Sequence, residues 1–214
     1  MKPTPPGYEV ETVTQRIGGH DYRLRILRDR QQFSDPGGRA QRAGVPPSSW
    51  PMFGVLWPAG LALAEEMSRL PLEGRRILEA GCGIGLASLV LRRRGADITA
   101  SDYHPLAADF LAHNAALNGL PPIRFELADW NGPNPALARF DLIIGADVLY
   151  EPDHVALLAD FVAAHGNVPA RVLIADPGRR QRSQFAALMS ARGYAFTERR
   201  TEMDASIRLL DFSR

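Results

Sequence analysis

The sequence predicts an α/β fold: a doubly wound, mostly parallel seven-stranded sheet with an N-terminal β-hairpin extension. Three observations predict it. Residues 75–85 read Arg-Arg-Ile-Leu-Glu-Ala-Gly-Cys-Gly-Ile-Gly, an apolar strand running into alternate glycines and then into the helix-like stretch 86–91. Short apolar strands and helical stretches then alternate as far as Arg192, the pattern of parallel strands joined by helical crossovers. Finally, two β runs at 195–201 and 206–212 lie too close together for a crossover, so they are predicted to pair antiparallel.

A chain of 214 residues suits one domain with an extension. Composition divides it into a hairpin and flexible loop over 1–49 and the main domain over 50–214. Residues 1–7 are proline-rich and predicted to be loosely attached. From 8 to 27, two β-like runs flank Gly18-Gly19, and Tyr22, Leu24 and Ile26 alternate with Arg23 and Arg25, which reads as a hairpin. Residues 31–49 have no apolar periodicity, and a loop of that length is a linker or a substrate lid. The run 50–67 opens onto a helix with Pro58 in its first turn and Leu61, Ala64 and Met67 at helical spacing. Trp57 stands at the helix entrance, where core packing and ligand contact are both open to it.

After the glycine loop, a strand at 96–100 ends in Ser101-Asp102, and a helix follows to Asn118 with Gly119 as its left-handed stop. The strand 123–127 leads into Ala128-Asp129-Trp130. Residues 140–145, apolar apart from Asp141, read as a buried parallel strand feeding Ala146-Asp147-Val148-Leu149-Tyr150. A helix at about 153–165 precedes the strand 171–175, which ends at Asp176-Pro177-Gly178-Arg179 before a helix to Arg192.

The formal net charge of +1 argues against nucleic-acid binding by bulk charge, and Lys2 is the only lysine. The amino terminus lacks the apolar core of a signal peptide and no run reaches membrane-spanning length, so the expected location is cytoplasmic, without membrane association. Cys82 is the only cysteine, which excludes an intrachain disulfide and a cysteine-built zinc site; between two glycines it reads as a small residue in a tight turn. The five histidines show no ligand spacing, and no metal is expected. A monomer is the default expectation.

The glycine loop reads as a nucleotide-type site, because missing Cβ atoms let the backbone approach a ligand beside a helix N-terminus; a plain glycine-rich strand-to-helix turn is the alternative. The spacing departs from G-x-G-x-x-G, and no Walker lysine follows. Polar loops follow four successive parallel strands, at Gly81, Asp102, Asp129 and Asp147, and in a doubly wound sheet these carboxyl ends share one edge. Asp102 is suited to accept from the ribose hydroxyls of an adenosine cofactor, and equally to cap the helix that Pro105 and Leu106 start. At Asp129-Trp130 a carboxylate can accept the adenine amino proton while an indole face borders the ring.

The pattern E-x-G-x-G-x-G over 79–85 resembles the first motif of class I S-adenosylmethionine (AdoMet) methyltransferases. Together with Trp57-Pro58-Ala59-Gly60, Asp129-Trp130, 146–150, and Asn114 and Asn118 before Gly119, it is similar to methyltransferase family 16, which includes protein-lysine methyltransferases acting on valosin-containing protein, heat-shock chaperones and elongation factors. Asp176-Pro177-Gly178-Arg179 resembles the electron-transfer-flavoprotein β-subunit lysine methyltransferase branch. The match covers roughly 50–180. It implies that Trp57, Gly81, Cys82, Gly83, Asp102, Tyr103, Asp129, Trp130 and Ala146 contact AdoMet, with Glu79 near its amino-acid part, and that S-adenosylhomocysteine (AdoHcy) is the product.

The resemblance also implies that Asp147 and Tyr150 form a D-x-x-Y motif beside the target amine. There Asp147 would recognise and orient the ammonium and Tyr150 would give a hydrogen bond or aromatic wall, neither being an obligatory base. The implied acceptor is a lysine of a protein substrate. A nicotinamide-like small amine is the alternative, and a non-catalytic AdoMet- or NAD-binding module is a third reading. A nucleic-acid acceptor is disfavoured because 147–150 lack the prolines of N/D-P-P-Y, and the arginines at 179, 180, 182, 192, 199 and 200 read as solvated surface rather than an RNA patch.

Overall fold

The computed structural model describes residues 7–72 and 74–214. The expectation of a loosely attached terminus falls on residues outside these, apart from Gly7. Strands β1 (Val10–Ile17) and β2 (His20–Leu27) form the expected two-stranded antiparallel hairpin. Both residues of its Gly18-Gly19 turn have positive φ, 54° and 82°, the conformation a tight two-residue hairpin needs.

The segment 31–49 is more ordered than its composition predicts. It holds a short helix, α1 (Arg39–Arg42), whose first amides are taken up by a side chain: the Asp35 carboxylate accepts from Ala40 N at 3.1 Å and Gln41 N at 2.9 Å. Arg39 donates to the Pro105 carbonyl at 2.8 Å, and Ala40 and Val45 are buried. A 3₁₀ turn, Trp50–Gly54, and α2 (Pro58–Arg69) follow, the latter with Pro58 in its first turn as expected.

The main domain then alternates β3 (Arg76–Ala80), α3 (Leu86–Arg93), β4 (Asp97–Asp102), α4 (Ala107–Leu117), β5 (Arg124–Leu127), β6 (Phe140–Ala146), α5 (His154–His165), β7 (Gly166–Asp176) and α6 (Arg182–Ala191). It ends in β8 (Ala195–Arg200) and β9 (Arg208–Ser213). The seven-stranded sheet has the order β5-β4-β3-β6-β7-β9-β8, parallel from β5 to β7 and antiparallel where β9 inserts between β7 and β8. Successive strands step outward from β3 to β5, and the chain then returns to place β6 on the other side of β3. Strand order therefore reverses between β3 and β6, the place where doubly wound folds bind ligands.

Side chains alternate across the sheet. Leu142 and Ile144 face a core shared with α2, α3 and α4, whereas Ile143 faces the core of α5 and α6. Both faces are covered, which is why these strands read as continuous apolar runs. The hairpin packs into the first of these cores through Ile17, Tyr22, Leu24 and Leu27.

Asn114 on α4 and Asn118, at its C-cap, dock the hairpin. Asn114 Oδ1 accepts from Arg25 N at 2.7 Å, and its Nδ2 donates to the carbonyls of Arg25 at 3.3 Å and of Ile84, in the glycine loop, at 3.0 Å. Asn118 repeats the pairing one turn later, accepting from Arg23 N at 2.9 Å and donating to Arg23 O at 2.8 Å. The outer edge of β2 thus gains partners that a neighbouring strand would otherwise supply.

Candidate functional site

The carboxyl ends of β3, β4, β5 and β6 open onto one cavity of about 510 Å³. That volume lies within the range of small-molecule sites. Every residue the sequence nominated lines it: Trp57, Glu79, Gly81, Cys82, Gly83, Asp102, Tyr103, Asp129, Trp130, Ala146, Asp147 and Tyr150.

In the loop after β3, Gly81 and Gly83 have φ of 68° and 54°. Their missing Cβ atoms also serve the chain's own packing. A Cβ on Gly83 would lie 2.8 Å from the Phe53 carbonyl oxygen, and one on Gly81 would lie 3.1 Å from Val148 Cγ1. Between them Cys82 is buried, and desolvation with the nearby Asp102 and Glu79 charges pushes its thiol well up, so it is no nucleophile.

Glu79 is 4% exposed, and its Oε2 accepts from Ser88 N at 3.0 Å and from the Ser88 hydroxyl. Ser88 is the third residue of α3, whose N-cap is Gly85, so Glu79 supplies from the preceding strand the cap that the glycine cannot. Burial pushes the Glu79 carboxyl from 4.5 up to about 7, with the Asp102 charge adding to it. In the unfolded chain it ionises near its ordinary value, so only the folded state keeps the proton between about 4.5 and 7. The contribution of Glu79 to stability is therefore fully present at acidic pH and is lost as pH rises through this window, by on the order of 3 kcal/mol, against an opposite contribution from His104, whose imidazole is pushed down to about 3 by burial. Denaturant unfolding at pH 5 and pH 8 isolates this contribution by comparison: wild type is expected to lose more stability, or gain less, than Glu79→Gln between the two values.

Asp102, 7% exposed, organises the neighbouring corner. Its Oδ2 accepts from Gly83 N and its Oδ1 from His104 N, both at 2.8 Å. One carboxylate thus fixes the glycine loop and the turn after β4, and keeps spare lone pairs. Asp129 is exposed, with one oxygen closing a turn onto Asn131 N at 2.9 Å. Trp130 stands edge-on to His154, ring centroids 5.4 Å apart. Trp57 is half-buried at the N-terminus of α2, its indole N–H donating to the Met52 carbonyl at 2.9 Å.

At the β6 end, Tyr150 and Tyr103 hydrogen-bond through their hydroxyls, and burial lifts both phenols, so they are neutral at physiological pH. Asp147 does not present a bare carboxylate. Arg179 grips it bidentately, Nε to Oδ1 at 2.7 Å and Nη2 to Oδ2 at 2.9 Å. Arg179, expected on the solvated surface, instead lines the cavity. The signal that could have found it is its place just after β7, whose carboxyl end lies on the same sheet edge as Asp147.

The wall combines carboxylates at Glu79, Asp102, Asp129, Asp147 and Glu151 with aromatic faces at Trp57, Tyr103 and Trp130, set against the single arginine Arg179. Such a wall fits a ligand carrying positive charge, hydroxyl donors and a flat heterocycle.

The comparisons agree with this arrangement. A family model described as lysine methyltransferase matches residues 51–191. The electron transfer flavoprotein β-subunit lysine methyltransferase of Mus musculus is 34% identical over 169 residues, covering 75% of this chain and 62% of the mouse protein. The chain thus spans about three-fifths of that relative's length. A protein N-lysine methyltransferase of Danio rerio is 36% identical over 106 residues, 45% of this chain and 47% of its own. Among solved structures, a T. thermophilus 16S rRNA methyltransferase in complex with AdoMet and guanosine shares the fold with a TM-score of 0.69 at 20% identity, covering 99% of this chain and 52% of that one. With about two-thirds of its length, residues 51–191, matched by the family model, the chain belongs to the lysine methyltransferase family.

Proposed function

We propose that the protein methylates the ε-amine of a lysine in a protein substrate, taking the methyl group from AdoMet. The observation that carries this reading is the acid-lined cavity at the switch in strand order, which brings the aromatic faces of Trp57, Tyr103 and Trp130 together with the Asp147–Tyr150 corner. When bound, AdoMet supplies a sulfonium-activated methyl, which forms an N–C bond as the S–C bond breaks and leaves AdoHcy.

The remaining work belongs to the chain's own residues. Asp102 would accept from the ribose hydroxyls. Asp129 and Trp130 would take the adenine, and Trp57, Glu79, the 81–83 loop, Tyr103 and Ala146 would enclose the rest. Catalysis then consists of holding an amine lone pair in line with the methyl while water is excluded. Asp147 and Tyr150 form the acceptor end, where Tyr150, as a neutral phenol, can exchange hydrogen bonds with the incoming nitrogen.

The acceptor class is tested with methyl-labelled AdoMet, supplied with purified electron-transfer-flavoprotein β subunit, the substrate in the relative's name, and separately with cell lysate. The expected result is label in a protein band that yields methyl-lysine on hydrolysis. Label confined to low-mass products would point to a small amine, and label in RNA to a nucleic-acid acceptor; either would overturn the reading.

A further inference from the structure

The Asp147 carboxylate lines the cavity yet already holds a cation. Its side chain is 8% exposed, while that of Arg179 is 39% exposed and reaches over it with a two-pronged hydrogen bond. Two stretches of backbone are shaped to make this pair. Asp147 has φ 54°, the one positive value at a non-glycine among the described residues, and its N–H donates to the Ala175 carbonyl at 2.8 Å. After β7, Asp176 Oδ1 accepts from Gly178 N at 2.7 Å and Arg179 N at 2.8 Å, and Gly178 at φ 97° completes the turn that sends Arg179 back toward β6. Backbone held in a sparsely populated conformation is retained where surrounding structure enforces it, and it gathers at functional corners.

The groups facing this pair come from three elements. The chain from the end of β6 into α5 gives Tyr150, Glu151 and His154; the end of β4 and the residue after it give Asp102 and Tyr103; the stretch from the end of β7 to the start of α6 gives Asp176 and Arg182. The two phenols are neutral and bonded to each other. His154 donates from Nδ1 to the Val148 carbonyl at 2.9 Å, and the Asp176 carboxyl is buried, with its pKa raised and Arg182 opposing that rise. Next to the acceptor corner, the one full charge pair is Asp147 with Arg179.

We propose that Arg179 is a positioning residue that keeps Asp147 paired, so that the acceptor corner admits lysine as the neutral, nucleophilic amine rather than as the ammonium. The proposal rests on the lysine-methylating reading above. A bare carboxylate here would bind the ammonium and hold the proton that must leave before nitrogen can attack. Paired with Arg179, the same oxygens keep lone pairs that can accept an N–H from a neutral amine and turn its lone pair toward the methyl. The pair therefore orients the amine without protecting its charge.

The test is the pH dependence of kcat and KM, from pH 6.5 to 10 at saturating AdoMet, with electron-transfer-flavoprotein β subunit as acceptor. Wild type, Arg179→Gln, Arg179→Lys and the double variant Asp147→Asn with Arg179→Gln are compared, and calorimetry with AdoHcy confirms that each retains the cofactor site. Freeing the carboxylate in Arg179→Gln is expected to lower the acceptor KM several-fold. The acid-side limb, on which kcat rises as the amine loses its proton, should also move upward by about one pH unit, so that kcat is about tenfold lower at pH 7 and converges with wild type near pH 10. Arg179→Lys, which keeps the carboxylate paired, should regain the wild-type profile, and the double variant, which removes the negative charge along with the orienting carboxylate, should regain the wild-type pH position of the limb at a lower kcat. A profile for Arg179→Gln that runs parallel to wild type, or a raised KM without a pH shift, would overturn the proposal while leaving the methylation reading intact. Failure of the wild-type protein to label this acceptor while binding AdoHcy would overturn the acceptor assignment, and the proposal with it.

Discussion

Replacing Asp102 with alanine is expected to weaken AdoMet binding by about 100-fold or more. The carboxylate is 7% exposed and anchors both walls of its corner, accepting from Gly83 N and His104 N at 2.8 Å each. Alanine removes the proposed acceptors for the ribose hydroxyls and leaves two inward-facing amides without partners. Hydrogen bonds to a charged group contribute about 1.5–3 kcal/mol each, and orphaned buried donors carry a penalty of similar size. The loss of two ribose bonds alone reaches the 100-fold estimate, and loosening of the glycine loop adds to it. Asn at this position keeps one acceptor oxygen and should fall between, at about tenfold. Calorimetric titration with AdoMet reads the affinity, and denaturant unfolding separately reads the loss of stability. Wild-type affinity in a folded Asp102→Ala protein would remove Asp102 from the cofactor site.

Much of the fold and of this cavity can be read from sequence because parallel strands announce themselves. Residues 140–146 are nearly all apolar, since Leu142, Ile143 and Ile144 must satisfy two cores at once. The polar residues ending each such run then fall on one edge by topology alone, which is how Gly81, Asp102, Asp129 and Asp147 could be grouped without coordinates. What could not be read depends on pairings across the chain. Helix α1 is four residues long and held by the Asp35 side chain and by Arg39 reaching Pro105, so no periodicity marks it. Asn114 and Asn118 give no local sign that they bond to β2, 89 and 95 residues away.

Arg179 illustrates the same limit for the site. A guanidinium bound to a cavity carboxylate and one in free solvent are the same letter, and only the turn at Gly178 distinguishes them. Glu79 is a further case. Its position before the glycines marks it as a cofactor neighbour, but its bond to Ser88, the cap of α3, appears only once strand and helix are folded together.

Asp147→Ala is expected to lower methyl transfer by at least about 100-fold while AdoHcy binding stays within a few-fold of wild type. The asymmetry follows from position. Asp147 lines the cavity beside Tyr150 at the acceptor end, while the contacts proposed for adenosine belong to β4 and β5. Without the carboxylate, Tyr150 alone is left at this corner to hold the amine in line, and misplacement by an ångström is enough for a loss of this size. Alanine also leaves Arg179 without its anionic partner, adding an uncompensated positive charge near the sulfonium site. AdoMet, which is cationic there, should therefore weaken more than AdoHcy, which is not, a difference that general damage to the cavity would not produce. The left-handed backbone at residue 147 requires a control, because alanine tolerates φ 54° less well than aspartate or glycine. Asp147→Gly relieves that strain and should be as inactive as Asp147→Ala if the carboxylate is what matters. Recovery of turnover in the glycine variant would assign the effect to the backbone, and undiminished turnover in both would place the acceptor amine elsewhere in the cavity.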